Sequence, residues 1–244
     1  MTRPSFLKLF CLLSLAALAV GACGTNPQHS LVVDASLEHQ RMQGEVYLLR
    51  GLFNVFSLGM DSMGEQLRAQ GVDASVHSGP SWPYLGEQIS AYHKQGKAHG
   101  PLIISGHSYG ADDAIRLART LRDQGVQVDA LVLVDPTLPP KVPANVGLCV
   151  NFYLSNPATD WMPWLRGVPV ERESQSTEVK NRDLRGLPDH ESLIKEVNHF
   201  TIEEHPTVQR LVVDQILEVL HRGGVIKQNP ISTATSTVEV GRHD

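Results

Sequence analysis

The apolar run Pro101-Leu102-Ile103-Ile104-Ser105 passes without a linker into Gly106-His107-Ser108-Tyr109-Gly110 and then into a periodic segment, Ala111 to Arg122. That succession constrains the chain more than any other feature. A short apolar run stopped by a turn reads as a strand buried on both faces. The segment after it places Ala111, Ala114, Ile115, Ala118 and Leu121 at three- and four-residue steps, with Gly125 just past its end, so it reads as a helix with one apolar face. Gly106 to Gly110 is all that separates strand from helix, and the turn must be sharp. Glycines on either side of Ser108 let neighbouring backbone pass where a Cβ would clash. Ser108 is thereby lifted above the sheet, over a helix N-terminus whose free N–H groups favour negative charge.

The rest of the chain repeats the alternation. Val46 to Leu49 reads as a strand stopped by Arg50-Gly51, and Met60 to Gln70 as a helix with Met63 and Leu67 on one face. Val72 to His77 is a weaker strand, and Pro83 to Gln95 a helix carrying Leu85, Ile89 and Tyr92. Ala130 to Val134 and Gly147 to Leu154 read as strands. Pro206 to Arg222 reads as a closing helix with Val208, Leu211, Val212, Gln215 and Val219 inward. The polar stretch Asn156 to Lys195 yields only a strand near Thr177 to Leu184. Strands alternating with helices predict an α/β fold, one domain over residues 45–222, with a mostly parallel sheet covered on both faces. Residues 223–244, rich in Ser, Thr and polar side chains, read as a flexible C-terminal tail.

The N-terminus sets an expected compartment. Arg3 and Lys8 precede the apolar run Leu9 to Val20, about a dozen residues where a spanning helix takes roughly twenty. A basic start, a short apolar core and small residues before a cut describe an export signal. Val20-Gly21-Ala22-Cys23 resembles the lipobox of bacterial lipoproteins. This implies a signal peptide over 1–22, a lipid on Cys23 and a tether over 23–44. The expected location is the bacterial cell envelope, lipid-anchored and facing the periplasm. Gly24, where retention in the inner membrane is associated with Asp, leans toward the outer membrane.

Of three cysteines, on this reading Cys11 would leave with the signal and Cys23 would be acylated. Cys149 is then the last, and no internal disulfide is expected. A formal net charge of −5 gives no sign of a nucleic-acid partner. No cysteine or histidine pair has zinc spacing, so no metal is expected.

Serine is a poor nucleophile until a base takes its proton. Among eleven histidines, His29, His39 and His243 lie in tether or tail, and His221 ends a helix. His107 adjoins the serine and cannot readily turn its ring onto the hydroxyl. His199, in Val197-Asn198-His199-Phe200-Thr201-Ile202, falls late in the domain just before the closing helix and is the candidate base. His205 competes, but His205-Pro206 looks like a helix start. The acid that would orient the imidazole is Asp135, at the end of the strand Leu131 to Val134. Asp160 and Asp183 are alternatives. Asp61, Asp112 and Asp113 read as first-turn acids complementing helix dipoles. An oxyanion hole would take its backbone N–H groups from Tyr109 and, after the first strand, from Leu52.

Taken together, Gly-His-Ser-Tyr-Gly-Ala and the late Asn-His-Phe-Thr-Ile resemble the α/β-hydrolase superfamily, nearest its lipase and thioesterase-like branches, over about residues 45–222. The resemblance implies hydrolysis of a carboxylic ester or thioester through an acyl-serine, without cofactor, on a small-molecule or lipid acyl substrate. Thioesterase-like members place the acid as Asp135 stands here, and many other members as Asp160 stands. Arg50-Gly51 replaces the usual His-Gly of the oxyanion loop. A small lid or none is expected, and Trp161, Met162 and Trp164 are candidates for an acyl pocket. A second class of function is a catalytically inactive hydrolase fold used as an envelope binding or assembly module. An intact serine, histidine and acid argue against it, since a scaffold needs none of them.

Overall fold

The computed structural model describes residues 42–51, 58–156, 160–162, 166–187 and 197–227. In chain order these form β1 (Met42–Arg50), α1 (Leu58–Ala69), β2 (Val72–Ser78), α2 (Trp82–Lys94), β3 (Leu102–His107), α3 (Tyr109–Asp123), β4 (Val128–Val134), β5 (Val146–Tyr153), β6 (Glu178–Asp183) and α4 (Pro206–Lys227). The strands pair in the order β2-β1-β3-β4-β5-β6, and every pair is parallel.

Strand side chains alternate between two faces, and both faces are buried. Val46, Leu48, Ile103 and Val132 point toward α1 and α4, where they meet Met60, Met63, Val212 and Ile216. Leu49, Ile104, Leu131 and Leu133 point the other way, against Leu85 and Ile89 of α2 and Ile115 and Leu121 of α3. Each such side chain, once fully buried, contributes about 1.5–3 kcal/mol. This two-sided burial explains why the central strands read as continuous apolar runs rather than as alternating ones. Parallel strands also send all their strand-to-helix connections out at one edge, so the segments after β1, β3, β4 and β5 share one end of the molecule. With a Gly-x-Ser-x-Gly turn leaving the central strand β3 straight into α3, this is the α/β-hydrolase fold.

Three boundaries differ from the sequence reading. β1 begins at Met42, inside the stretch read as tether, and β3 runs two residues further, through His107. The closing helix continues past Arg222 to Lys227. Gly223 is not a stop signal there: its missing side chain lets the helix lie on Pro101, whose Cγ would be 2.2 Å from a Cβ. The signal peptide, Cys23, most of the tether and residues 228–244 lie outside the described residues, as do 157–159, 163–165 (Trp164 among them) and 188–196 of the stretch where a lid would fall.

The glycines of the turn are required by backbone, not by loop flexibility. A Cβ on Gly106 would lie 2.3 Å from the Gly110 carbonyl oxygen. One on Gly110 would lie 2.4 Å from Leu49 O and 2.5 Å from Arg50 O. Carbonyls at the end of a central strand cannot retreat without breaking the ladder. Gly110→Ala should therefore destabilise the domain by about 3 kcal/mol. Urea unfolding should show it as a lower midpoint at unchanged slope.

Candidate active site

β3 and β4 are neighbours, with His107 in register with Val134, so the residues that follow them emerge side by side. Both adopt left-handed backbone without being glycine: Ser108 has φ 56° and Asp135 φ 51°. Such conformations cost about 1–3 kcal/mol and persist where surrounding structure over-determines them. Here the determinants are explicit. Ser108 N–H donates to Val134 O at 2.9 Å, and Asp135 N–H donates to Phe152 O at 2.8 Å. Each strand end is thus held by the next strand, and the side chain turns upward from the sheet edge.

His199 arrives from the segment before α4. Its Nε2 lies 2.8 Å from Ser108 Oγ, and its Nδ1 lies 2.7 Å from Asp135 Oδ2. The carboxylate accepts, so Nδ1 carries the proton and Nε2 presents a lone pair to the serine O–H. The other Asp135 oxygen, Oδ1, accepts from Leu154 N–H at 2.8 Å. Burial raises the Asp135 carboxyl above its ordinary range. The hydrogen bond to His199, its charge and the Leu154 N–H pull it back, and Asp160 adds a small further rise. Gly167 seals this acid from above, since a Cβ there would fall 1.6 Å from Asp135 Oδ1.

The alternative acids do other work. Asp160 accepts from Asn156 N–H at 2.9 Å, closing its own loop. Asp183 accepts from Ser155 Oγ at 2.6 Å. His205 accepts from Thr207 N–H at 3.2 Å at the start of α4. The structure therefore brings Ser108, His199 and Asp135 together and leaves the other candidates apart. Tyr109 opens α3, where first-turn N–H groups have no partner within the helix. Leu52, the other expected oxyanion donor, lies outside the described residues. Gly51 before it is buried.

Two acids read as dipole partners do stand in the first turns of their helices, and each also holds a neighbouring segment. Asp112, fully buried, accepts from Thr137 N–H at 3.1 Å, Thr137 Oγ1 at 2.8 Å and Leu138 N–H at 2.9 Å, which clamps the segment following Asp135. Asp61 takes both arms of Arg50, at 2.7 and 2.5 Å. That pair supplies the contact for the Arg50-Gly51 departure and ties the end of β1 to α1. The distant partners of these acids leave no local signature. Cys149 is a buried free thiol, and burial pushes its pKa up. Among the described residues no group of three or more His, Cys, Asp or Glu side chains is placed to hold a metal ion.

The sequence reading missed Glu203 altogether. It lies in the turn Ile202–Glu204, fully buried, and neither carboxyl oxygen has a hydrogen bond among the described residues. Gly59 of α1 rests directly on it, for a Cβ there would be 1.9 Å from Oε2. His107, also buried, stands with Nδ1 3.7 Å from Glu203 Oε1. Burial pushes the Glu203 carboxyl up to about 8, with Glu204 and Asp61 adding to the rise and the Gly59 N–H opposing it. Burial, then the charge on His199, bring His107 down to about 3, against the pull of its bond to the His199 carbonyl. A hint existed in Glu203's position four residues after His199, on the same short segment.

A thioesterase-domain family matches residues 63–145. The match spans Ser108 and Asp135 and ends before His199. Among curated proteins, none matches significantly. Solved structures similar to this chain include a protein from Xanthomonas campestris described as an α/β-superfamily hydrolase, at 16% identity and TM-score 0.42, covering 72% of this chain and 99% of its own. The RedJ thioesterase of prodiginine biosynthesis in Streptomyces coelicolor shows 14% identity and TM-score 0.41, over 72% and 85%. An esterase from Pyrobaculum calidifontis shows 15% and 0.43, over 76% of each chain. Likeness this distant says nothing of substrate. The family match, with the fold and the elbow described above, supports a hydrolase.

Glu203 also sets a pH dependence of folding. Its carboxyl is raised in the folded chain, from an ordinary 4.5 to about 8. Its favourable contribution is therefore complete below about pH 4.5 and is lost as pH rises toward 8, because the unfolded chain ionises first. At about 1.4 kcal/mol per pKa unit, the loss is several kcal/mol. Glu203→Gln, neutral throughout, should remove this slope. Unfolding free energies of the two proteins measured between pH 5 and 9 should diverge as pH rises toward about 8 and then level off, with the variant the more stable at the alkaline end.

Proposed function

We propose that the chain is a serine hydrolase that cleaves a carboxylic ester or thioester, with Ser108 as nucleophile, His199 as general base and Asp135 as the acid that orients it. The hydrogen-bonded string Ser108 Oγ–His199 Nε2 and His199 Nδ1–Asp135 Oδ2 carries this reading. In the proposed reaction His199 takes the Ser108 proton as Oγ attacks the acyl carbon. Negative charge gathers on the former carbonyl oxygen, where the N–H groups of Tyr109 and Leu52 are the proposed donors. Collapse breaks the bond to the alcohol or thiol, which leaves with the proton from His199. Water then gives its proton to His199 as it attacks the acyl-serine, the Oγ–acyl bond breaks with His199 returning the proton to Ser108 Oγ, and the acid is released. Asp135 fixes the tautomer and stabilises the imidazolium without itself taking the proton. No cofactor is needed for these steps.

Five large apolar side chains exposed among the described residues support an acyl substrate: Leu58, Tyr84, Leu138, Trp161 and Phe200. Leu58 and Tyr84 open the helices after β1 and β2, Leu138 and Trp161 follow β4 and β5, and Phe200 adjoins His199. Parallel topology puts the first four at the carboxyl edge, the edge of Ser108. An inactive binding module would not require a buried, fully oriented imidazole. Ser108→Ala and His199→Ala should each lower kcat for p-nitrophenyl esters by on the order of 10⁶, and the double variant little more, because the two act as one unit. Asp135→Asn should cost about 10⁴, while Asp160→Asn costs little. Mass spectrometry after fluorophosphonate treatment should find the adduct on Ser108. An active enzyme labelled elsewhere overturns the assignment.

The envelope location is part of the same proposal. Val20-Gly21-Ala22-Cys23 after a short apolar run supports acylation of Cys23, and the several chains of a bacterial lipoprotein anchor firmly where one would not. Cys23→Ser should shift the protein from the membrane pellet to the soluble fraction, or leave its signal uncut. A wild-type protein found wholly soluble, with a free thiol at Cys23, removes the anchor.

A further inference from the structure

His199 is held at three atoms, and only two of these contacts belong to the proposed triad. Its ring meets Ser108 and Asp135, and its backbone carbonyl accepts from His107 Nε2 at 2.9 Å. A carbonyl oxygen only accepts, so His107 Nε2 carries a proton. Burial keeps the ring neutral, and in a neutral ring the remaining nitrogen, Nδ1, bears a lone pair. Glu203 Oε1 faces that nitrogen at 3.7 Å. The gap is longer than a hydrogen bond. Even so, a protonated carboxyl is attracted to a lone pair, whereas an ionised one is repelled by it. The two states of Glu203 thus push the His107 ring in opposite directions, and His107 is what grips the His199 backbone.

We propose that Glu203 and His107 are positioning residues for His199: the neutral carboxyl of Glu203 keeps His107 on the His199 carbonyl, and its ionisation loosens that grip. The proposal rests on reading Ser108 and His199 as nucleophile and base. The groups around Glu203 favour the neutral form near pH 7. Glu204 on its own turn and Asp61 of α1 oppose ionisation, and Arg50 tempers Asp61 by pairing with it. The Gly59 N–H of α1 favours ionisation, and His107 at the end of β3 offers no positive charge. Gln209 of α4 donates to the Glu203 backbone carbonyl at 3.1 Å, so the turn itself is fixed and the change is confined to the carboxyl.

The test compares full-length wild type, Glu203→Gln and His107→Gln from pH 5 to 10. Each is followed by blank-corrected p-nitrophenyl ester turnover and by the rate of Ser108 phosphonylation. With a carboxyl titrating near 8, both wild-type rates should fall about tenfold between pH 7.5 and 9.5. Glu203→Gln, whose amide stays neutral and can donate, should show no fall relative to its own plateau. His107→Gln should also lack the fall, with kcat lowered about tenfold and KM within about twofold. It serves alone if Glu203→Gln does not fold. A purely structural role would change the unfolding midpoint of Glu203→Gln and leave its pH profile parallel to wild type, and that result overturns the proposal. Ser108→Ala and His199→Ala run alongside. If either turns over like wild type, the functional reading itself fails. If both are inactive and the alkaline fall persists in the folded variants, only the positioning role fails.

Discussion

The left-handed turn at Ser108 is the constraint on which the rest of the structure depends. A serine at φ 56° and ψ −127° is an unfavourable conformation taken alone. It is held by a hydrogen bond to β4, and its glycine neighbours press against each other and against the last carbonyls of β1. Three adjacent strands therefore fix one residue. The same device recurs one strand over, where β5 fixes Asp135 at φ 51°. Two strained residues on neighbouring strands set the distance between serine and acid before any side chain is considered, and His199 needs only to reach between them.

Burial alone does not tell what a carboxyl at this edge does. Asp112, Asp135 and Glu203 are all essentially inaccessible, and burial raises the pKa of all three. The number of donors separates them. Asp112 accepts from three, which favours the charged form and makes it a clamp for the segment after Asp135. Asp135 has the imidazole on one oxygen and a backbone N–H on the other. The carboxyl oxygens of Glu203 have no hydrogen-bond partner among the described residues, and burial pushes that carboxyl up to about 8. With only the Gly59 N–H opposing burial and the neighbouring acids, the Glu203 carboxyl is held toward its neutral form, four residues from the proposed base.

The sequence made the alternation of strands and helices legible because periodicity is a local signal. Ser108 was legible through its turn, and His199 and Asp135 through their places at element ends. What stayed hidden depended on partners far along the chain. Asp61 and Asp112 have the positions of dipole-complementing acids, and nothing near them announces Arg50 or the Thr137 amide. Glu203 and Glu204 are adjacent and chemically alike, yet one is fully buried and the other exposed. Gly223 carries the local mark of a helix stop, and only the proximity of Pro101 shows that the glycine serves close packing.

His107 shows how one short motif sets two parts of the site. Adjacent to Ser108, its ring cannot readily turn onto the hydroxyl, which rules it out as the base. That geometry holds, and it has a second consequence: a residue that alternates away from Ser108 at the end of β3 points beneath the turn, where the His199 backbone passes. The Gly106–Gly110 pentapeptide thus positions the serine through strain and the histidine through the His107–His199 hydrogen bond. Both contacts radiate from consecutive residues of a fully buried strand end, so moving one moves the other. The end of β3 thus meets His199 at both its ring and its backbone, while Asp135 at the end of β4 holds the other ring nitrogen.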